Sequence, residues 1–108
     1  MGSSLRKPVA VNNWESLSSE AIRLEDSAKD IVYKAKLGTS GLKSRMSIVK
    51  SQSLMIRLML FTQVKNIESR KEFCHNWWNR MDSLFTEFQS YLTQSLLTIH
   101  ELEEPLLT

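Results

Sequence analysis

The run Leu54-Met55-Ile56-Arg57-Leu58-Met59-Leu60-Phe61 is apolar at every position but Arg57, so a helix through it has no face left for water. A surface helix keeps one apolar stripe and one polar face, whereas a helix apolar all round must be covered on every side. A bilayer is not the expected cover, because a span needs about 20 apolar residues and polar residues flank this run. Other helices of the same chain, or a second chain, are left to do it. The run therefore predicts a helical assembly module.

At 108 residues the chain has room for one core and no second domain. Its apolar content of 42% and charged content of 24% are those of a folded globule rather than a disordered chain. A formal charge of +2 is too small to imply nucleic acid or membrane by itself. Cys74 is the single cysteine, so no intrachain disulfide forms, which suits a reducing, intracellular compartment, cytoplasmic or nuclear. Met1 to Val11 holds no apolar run of signal-peptide length. The start Met1-Gly2-Ser3-Ser4-Leu5-Arg6 resembles an N-myristoylation site, with Arg6 where Ser or Thr is expected. Residues 1–11 read more simply as a disordered leader, residues 12–104 as one helical domain, and 105–108 as a short tail.

Pro and Gly punctuate the chain at Pro8, Gly38, Gly41 and Pro105, leaving long segments with almost no helix breakers. The first helix is expected over 13–37. Asn12 with Glu15 has the form of a capping box. Trp14, Leu17, Ala21, Leu24, Ala28, Ile31 and Ala35 then follow three-four spacing without a miss, a coiled-coil-like seam whose alanines admit a close neighbour. Gly38 suits the left-handed stop, and Lys34 and Lys36 suit the negative end of the helix dipole.

A second helix is expected over 42–65. Its seam is Leu42, Met46, Val49, Ser53, Ile56, Leu60, Gln63 and Ile67, with two polar interruptions. Asn66 can supply a left-handed turn, and Ser69 with Glu72 forms a second capping box, so a third helix is expected over 70–103. One continuous helix through residues 66–69 is the alternative. On the third helix Phe73, Trp77, Met81, Leu84, Phe88 and Tyr91 make one stripe, and Trp78, Phe85, Leu92 and Ile99 an adjacent one. Its last turns, with Leu96, Leu97, Ile99 and Leu102, are expected to project beyond the others. The fold class is all-α: an antiparallel three-helix bundle, or a helical hairpin with a long third helix, that self-associates or packs in a larger helical assembly.

Chemistry is hard to place on this chain. Cys74 and His75 are neighbours, and neighbours on a helix diverge by about 100°, so they do not act together as nucleophile and base. Glu72-x-x-His75 matches the half-motif of dimetal bundles, but it occurs once, and Glu72 is claimed by the capping box. His100 has Leu97 where the motif needs Glu. There is no phosphate-binding glycine loop, zinc-type cysteine spacing or nucleophile elbow. The expectation is no enzyme, no cofactor and no metal.

Charge separates the three helices. From Leu42 to Ile67 there are five cations, Lys43, Arg45, Lys50, Arg57 and Lys65, and no acid. Lys43, Lys50 and Arg57 lie seven apart in one line. Such a line, with Arg45, could track the phosphates of an RNA or DNA duplex. The plainer expectation pairs these cations with Glu20, Glu25, Asp26 and Asp30 of the first helix. Arg57, inside the apolar run, either snorkels to water or is buried against a carboxylate. Trp77 and Trp78 point apart, so at least one can leave the core and anchor a partner.

The function expected is a non-catalytic protein-protein interaction or assembly module, a homodimer or a subunit of a larger complex. Its interface would be Leu54, Met55, Arg57, Leu58, Met59, Phe61, Trp78, Leu96 and Ile99. The alternative is a small dimeric nucleic-acid-binding protein using Lys43, Arg45, Lys50 and Arg57. A third is a regulator that docks a partner's amphipathic helix between its own helices.

Overall fold

A computed structural model describes the backbone of residues 13–107 and the side chains through Leu97. It contains three helices: α1 (Trp14–Lys36), α2 (Lys43–Thr62) and α3 (Glu68–Leu107). They form an antiparallel three-helix bundle, with no strand among the described residues. The expected leader, and Asn12 within the first capping box, lie outside the described residues.

The cap of α1 is Asn13, one residue later than the capping box placed it. Its side chain accepts from the backbone N–H of Glu15 at 2.8 Å and of Ser16 at 3.4 Å, the second and third positions of the helix. The other end closes as a Schellman motif. Gly38 adopts φ 85, its N–H donates to Ala35 O, and Thr39 N–H donates to Lys34 O. Lys34 and Lys36 lie in that last turn.

α2 and α3 are separate helices. The turn between them places both Lys65 (φ 48) and Asn66 (φ 60) in the left-handed region, closed by Ile67 N–H to Val64 O at 2.9 Å. Asn66 was expected there; Lys65 was not. With both residues turning, α3 starts at Glu68, so Ser69 lies inside the helix and is not its cap. Arg70 and Lys71 N–H both donate to Ile67 O instead. At its far end α3 runs to Leu107, past the expected Glu103.

Residue order fixes the helix directions. Trp14, Ala21 and Glu25 of α1 meet Phe73, Trp77 and Arg80 of α3 in rising order, so those two helices are parallel. Arg57 and Lys50 of α2 lie over Trp78 and Phe85, in falling order, so α2 runs against both. The core follows the three seams: Leu17, Ala21, Leu24, Ala28 and Ile31; Leu42, Met46, Val49, Ile56 and Leu60; Trp77, Met81, Phe85 and Phe88. Ser53, a polar interruption on the second seam, is fully buried. Its hydroxyl donates to Val49 O at 2.7 Å, so the polar group is satisfied within its own helix. The second seam ends in effect at Leu60, because Gln63 is half-buried and Ile67 is exposed.

Candidate interaction surface

α1 packs closely against both other helices, while α2 and α3 meet each other less extensively. The side of the bundle between α2 and α3 is therefore the open one. Along α2 the apolar run divides. Ile56 and Leu60 are buried, but Leu54 is 44% exposed, Met55 59%, Leu58 68% and Phe61 55%. Two other helices can seal only one side of α2, so the outward half of the run stays in water. Leu54, Leu58 and Phe61 follow four-three spacing and form one stripe. Met59 is only half-buried, packed against the core rather than standing outside it.

Phe61 is also the rim of a groove between the end of α2 and the start of α3. The groove encloses about 560 Å³ and is lined by Arg57, Val64, Lys71, Cys74, Trp78 and Asn79 together with His75. Its floor is apolar, and none of its lining residues is acidic. The Cys74 thiol is buried, and burial pushes its pKa up, which disfavours a nucleophilic thiolate. His75 is exposed and within 3.1 Å of the Asn79 side-chain amide.

Arg57 corrects the expectation made for it. It neither snorkels freely nor meets a carboxylate. Its guanidinium carbon sits 4.3 Å from the centroid of the Trp78 ring and 5.7 Å from that of Phe61. Its Nε is buried and has no hydrogen-bond partner. A ring face attracts a cation electrostatically, but it cannot accept an N–H bond as a carboxylate does. Arg57 is thus held in place and left with one donor unused.

Of the other cations of α2, Arg45 keeps the expected pairing with α1, while Lys43 and Lys50 depart from it. Arg45 reaches Asp30, at 3.9 Å across exposed surface. Lys50 Nζ lies 5.7 Å from the Phe85 ring centroid. Among the described residues, no carboxylate pairs with Lys43, Lys50 or Arg57. Three of the α1 acids are engaged with cations outside α2: Glu20 with Arg23, Asp30 with Lys34 in addition to Arg45 of α2, and Glu25 with Lys29 and Arg80.

Two side chains that spacing alone did not single out join the helices. Arg80 of α3 binds Glu25 of α1 with two parallel bonds, Nε to Oε2 at 2.6 Å and Nη2 to Oε1 at 2.9 Å. The Arg80 hydrogen bonds hold the Glu25 carboxyl below its usual pKa, against the opposing effect of burial. Arg70 donates to Gln63 O at 2.6 Å, covering the C-terminal end of α2, and stacks 4.9 Å from the Trp14 ring centroid. A sequence signal existed for both, since each is a cation flanking the aromatic stripe, but its partner depends on the register of another helix.

The two tryptophans part company. Trp77 is sealed in the core, its indole N–H donating to Ala21 O at 2.8 Å, while Trp78 is half-buried at the groove. Farther along α3, Leu96 and Leu97 are 68% and 56% exposed; the side chain of Ile99 lies outside the described residues. Glu72 is exposed, and no group of three or more His, Cys, Asp or Glu among the described residues is placed to hold a metal ion. No helix among them is long and apolar enough to cross a membrane. No family model matches this chain, and no curated protein or solved structure is detectably similar to it.

Proposed function

We propose that this chain is a non-catalytic helical interaction module that assembles through the open side of its bundle, as a homo-oligomer or as a subunit of a larger complex. The observation that carries this reading is the outward stripe of Leu54, Leu58 and Phe61, with Met55 beside it, on an otherwise well-formed bundle. Apolar side chains in water at helical spacing lose nothing in folding and gain about 25 cal/mol per Å² when a partner covers them. The groove beside the stripe adds an aromatic anchor, Trp78, of the kind that dominates protein interfaces.

Sedimentation velocity over a concentration series is the test. The wild-type chain is expected to sediment as a larger species as concentration rises. Leu58→Glu should abolish that shift and leave the helical circular dichroism and melting temperature unchanged. A wild-type monomer at every concentration removes the homo-oligomeric form of the reading.

One observation favours a second reading, duplex nucleic-acid binding through α2: Lys43 and Lys50 are exposed and are not used against α1 acids. Arg57, laid on Trp78, is a poorer phosphate ligand. Retention on duplex RNA or DNA that falls steeply with added salt would support this reading, and no retention at low salt would eliminate it.

A further inference from the structure

We infer that the groove at Arg57 and Trp78 is the receptor for the acidic end of α3 from a second copy of this chain, in a closed antiparallel dimer. The inference rests on the self-assembly reading above and names both surfaces. The groove presents Arg57, Lys71 and His75 beside apolar side chains, and none of its lining residues is acidic; Lys71 has exposed Glu68 3.8 Å away outside that lining, and Arg57 has no carboxylate partner among the described residues. A carboxylate brought in by an apolar helix would pair with the guanidinium end of Arg57 and with Lys71, while its apolar side chains cover the groove's rings.

The chain carries such a segment. Residues 98–107 contain Glu101, Glu103 and Glu104 with Ile99, Leu102, Leu106 and Leu107, and no Lys or Arg. They belong to α3, which also contains Trp78. Glu101 stands 23 residues beyond Trp78 on that helix, about 35 Å at 1.5 Å per residue. A straight helix therefore cannot bring its own acids back to its own groove. A second copy running antiparallel can, with the two-fold axis crossing α3 near Gln89.

An independent observation lies at that axis. From Ser83 to Ile99, α3 carries a single charged residue, Glu87, although Thr86, Gln89, Ser90 and Thr93 are exposed there. A solvated helix face of that length is normally rich in charge. Short uncharged side chains instead let a second α3 cross closely. Because the contact is isologous, both grooves are filled at once, and the assembly closes at two copies rather than growing into a fibre.

A charge-swap experiment tests this. R57E/K71E makes the groove acidic, and E101K/E103K/E104K makes the segment basic. Each variant alone should be monomeric in sedimentation velocity, its dimer dissociation constant raised by about tenfold or more relative to wild type. Mixed in equal amounts they should form a heterodimer, because both groove-segment contacts then join opposite charges. Adding salt should weaken the wild-type dimer and the mixed dimer alike. Rescue on mixing also shows that both variants fold. If the separate variants dimerise as wild type does, or the mixture stays monomeric while wild type dimerises, the inference is overturned and self-assembly through the outer stripe of α2 stands. If wild type itself never dimerises, self-assembly falls along with it.

Discussion

The two seams that α3 makes with its neighbours are built differently. Against α1 it packs Trp77 onto Ala21 with an indole hydrogen bond, and clamps Glu25 with Arg80 through two more. Against α2 it offers ring faces to Lys50 and Arg57, and leaves a groove with an unused donor. The alanines of α1 allow backbones to approach, so polar groups reach each other directly. Across the α2–α3 seam long cations lie over large ring faces, and these two helices meet less extensively. The first seam is closed and stabilises the fold; the second is open, and its surface is available for a partner.

The largest expected effect on that contrast comes from the closed seam. Trp77→Ala should cost about 3–5 kcal/mol of folding free energy, read from urea unfolding, because a sealed ring and its hydrogen bond are lost together. A loss below about 1 kcal/mol would mean that the α1–α3 contact is not what holds the bundle.

Arg80→Ala should cost less, about 1–2 kcal/mol, because Arg80 is half in water and Lys29 Nζ remains 3.7 Å from Glu25. Its pH dependence follows from the depressed pKa of Glu25. A carboxyl whose folded pKa is lowered contributes stability above its unfolded pKa, and that contribution is lost as pH falls through the folded value. The gap between wild type and Arg80→Ala should thus be full at neutral pH and shrink below about pH 4. An unchanged gap in acid would show that the loss is packing alone.

The smallest effect is expected at the open seam. Arg57→Met removes a ring contact and an unbonded buried donor together, so folding should change by less than about 1 kcal/mol. Self-association, by contrast, should weaken. If melting falls sharply instead, Arg57 belongs to the core and the two seams are less distinct than described.

Much of the bundle is legible in the sequence. Three-four spacing gives the α1 seam, because a heptad pattern without a miss has few other ways to be buried. The α2 seam reads correctly through Ser53, since a serine can donate to its own helix and remain in the core. Helix starts read less well. Asn12 and Asn13 are chemically equal caps, and the template with glutamate at the third position favours the wrong one. Ser69 fails as a cap because Lys65 joins Asn66 in turning the chain, which lets α3 begin earlier. The fate of Arg57 is not legible at all: whether a cation meets an acid or a ring depends on which residue of α3 lies opposite, and that is set by the whole bundle. The exposed half of the apolar run, by contrast, is legible because a helix apolar on every face has more surface than two neighbours can cover.

The stacking of Arg57 on Trp78 also carries an optical consequence. Of the two adjacent indoles, Trp77 is shut away from water and Trp78 stands at the mouth of a groove under a guanidinium. Anything that enters the groove changes the surroundings of Trp78, one of the chain's three indoles, and through it the emission of Trp77 only 5.8 Å away, so the chain's own fluorescence reports occupancy of the groove.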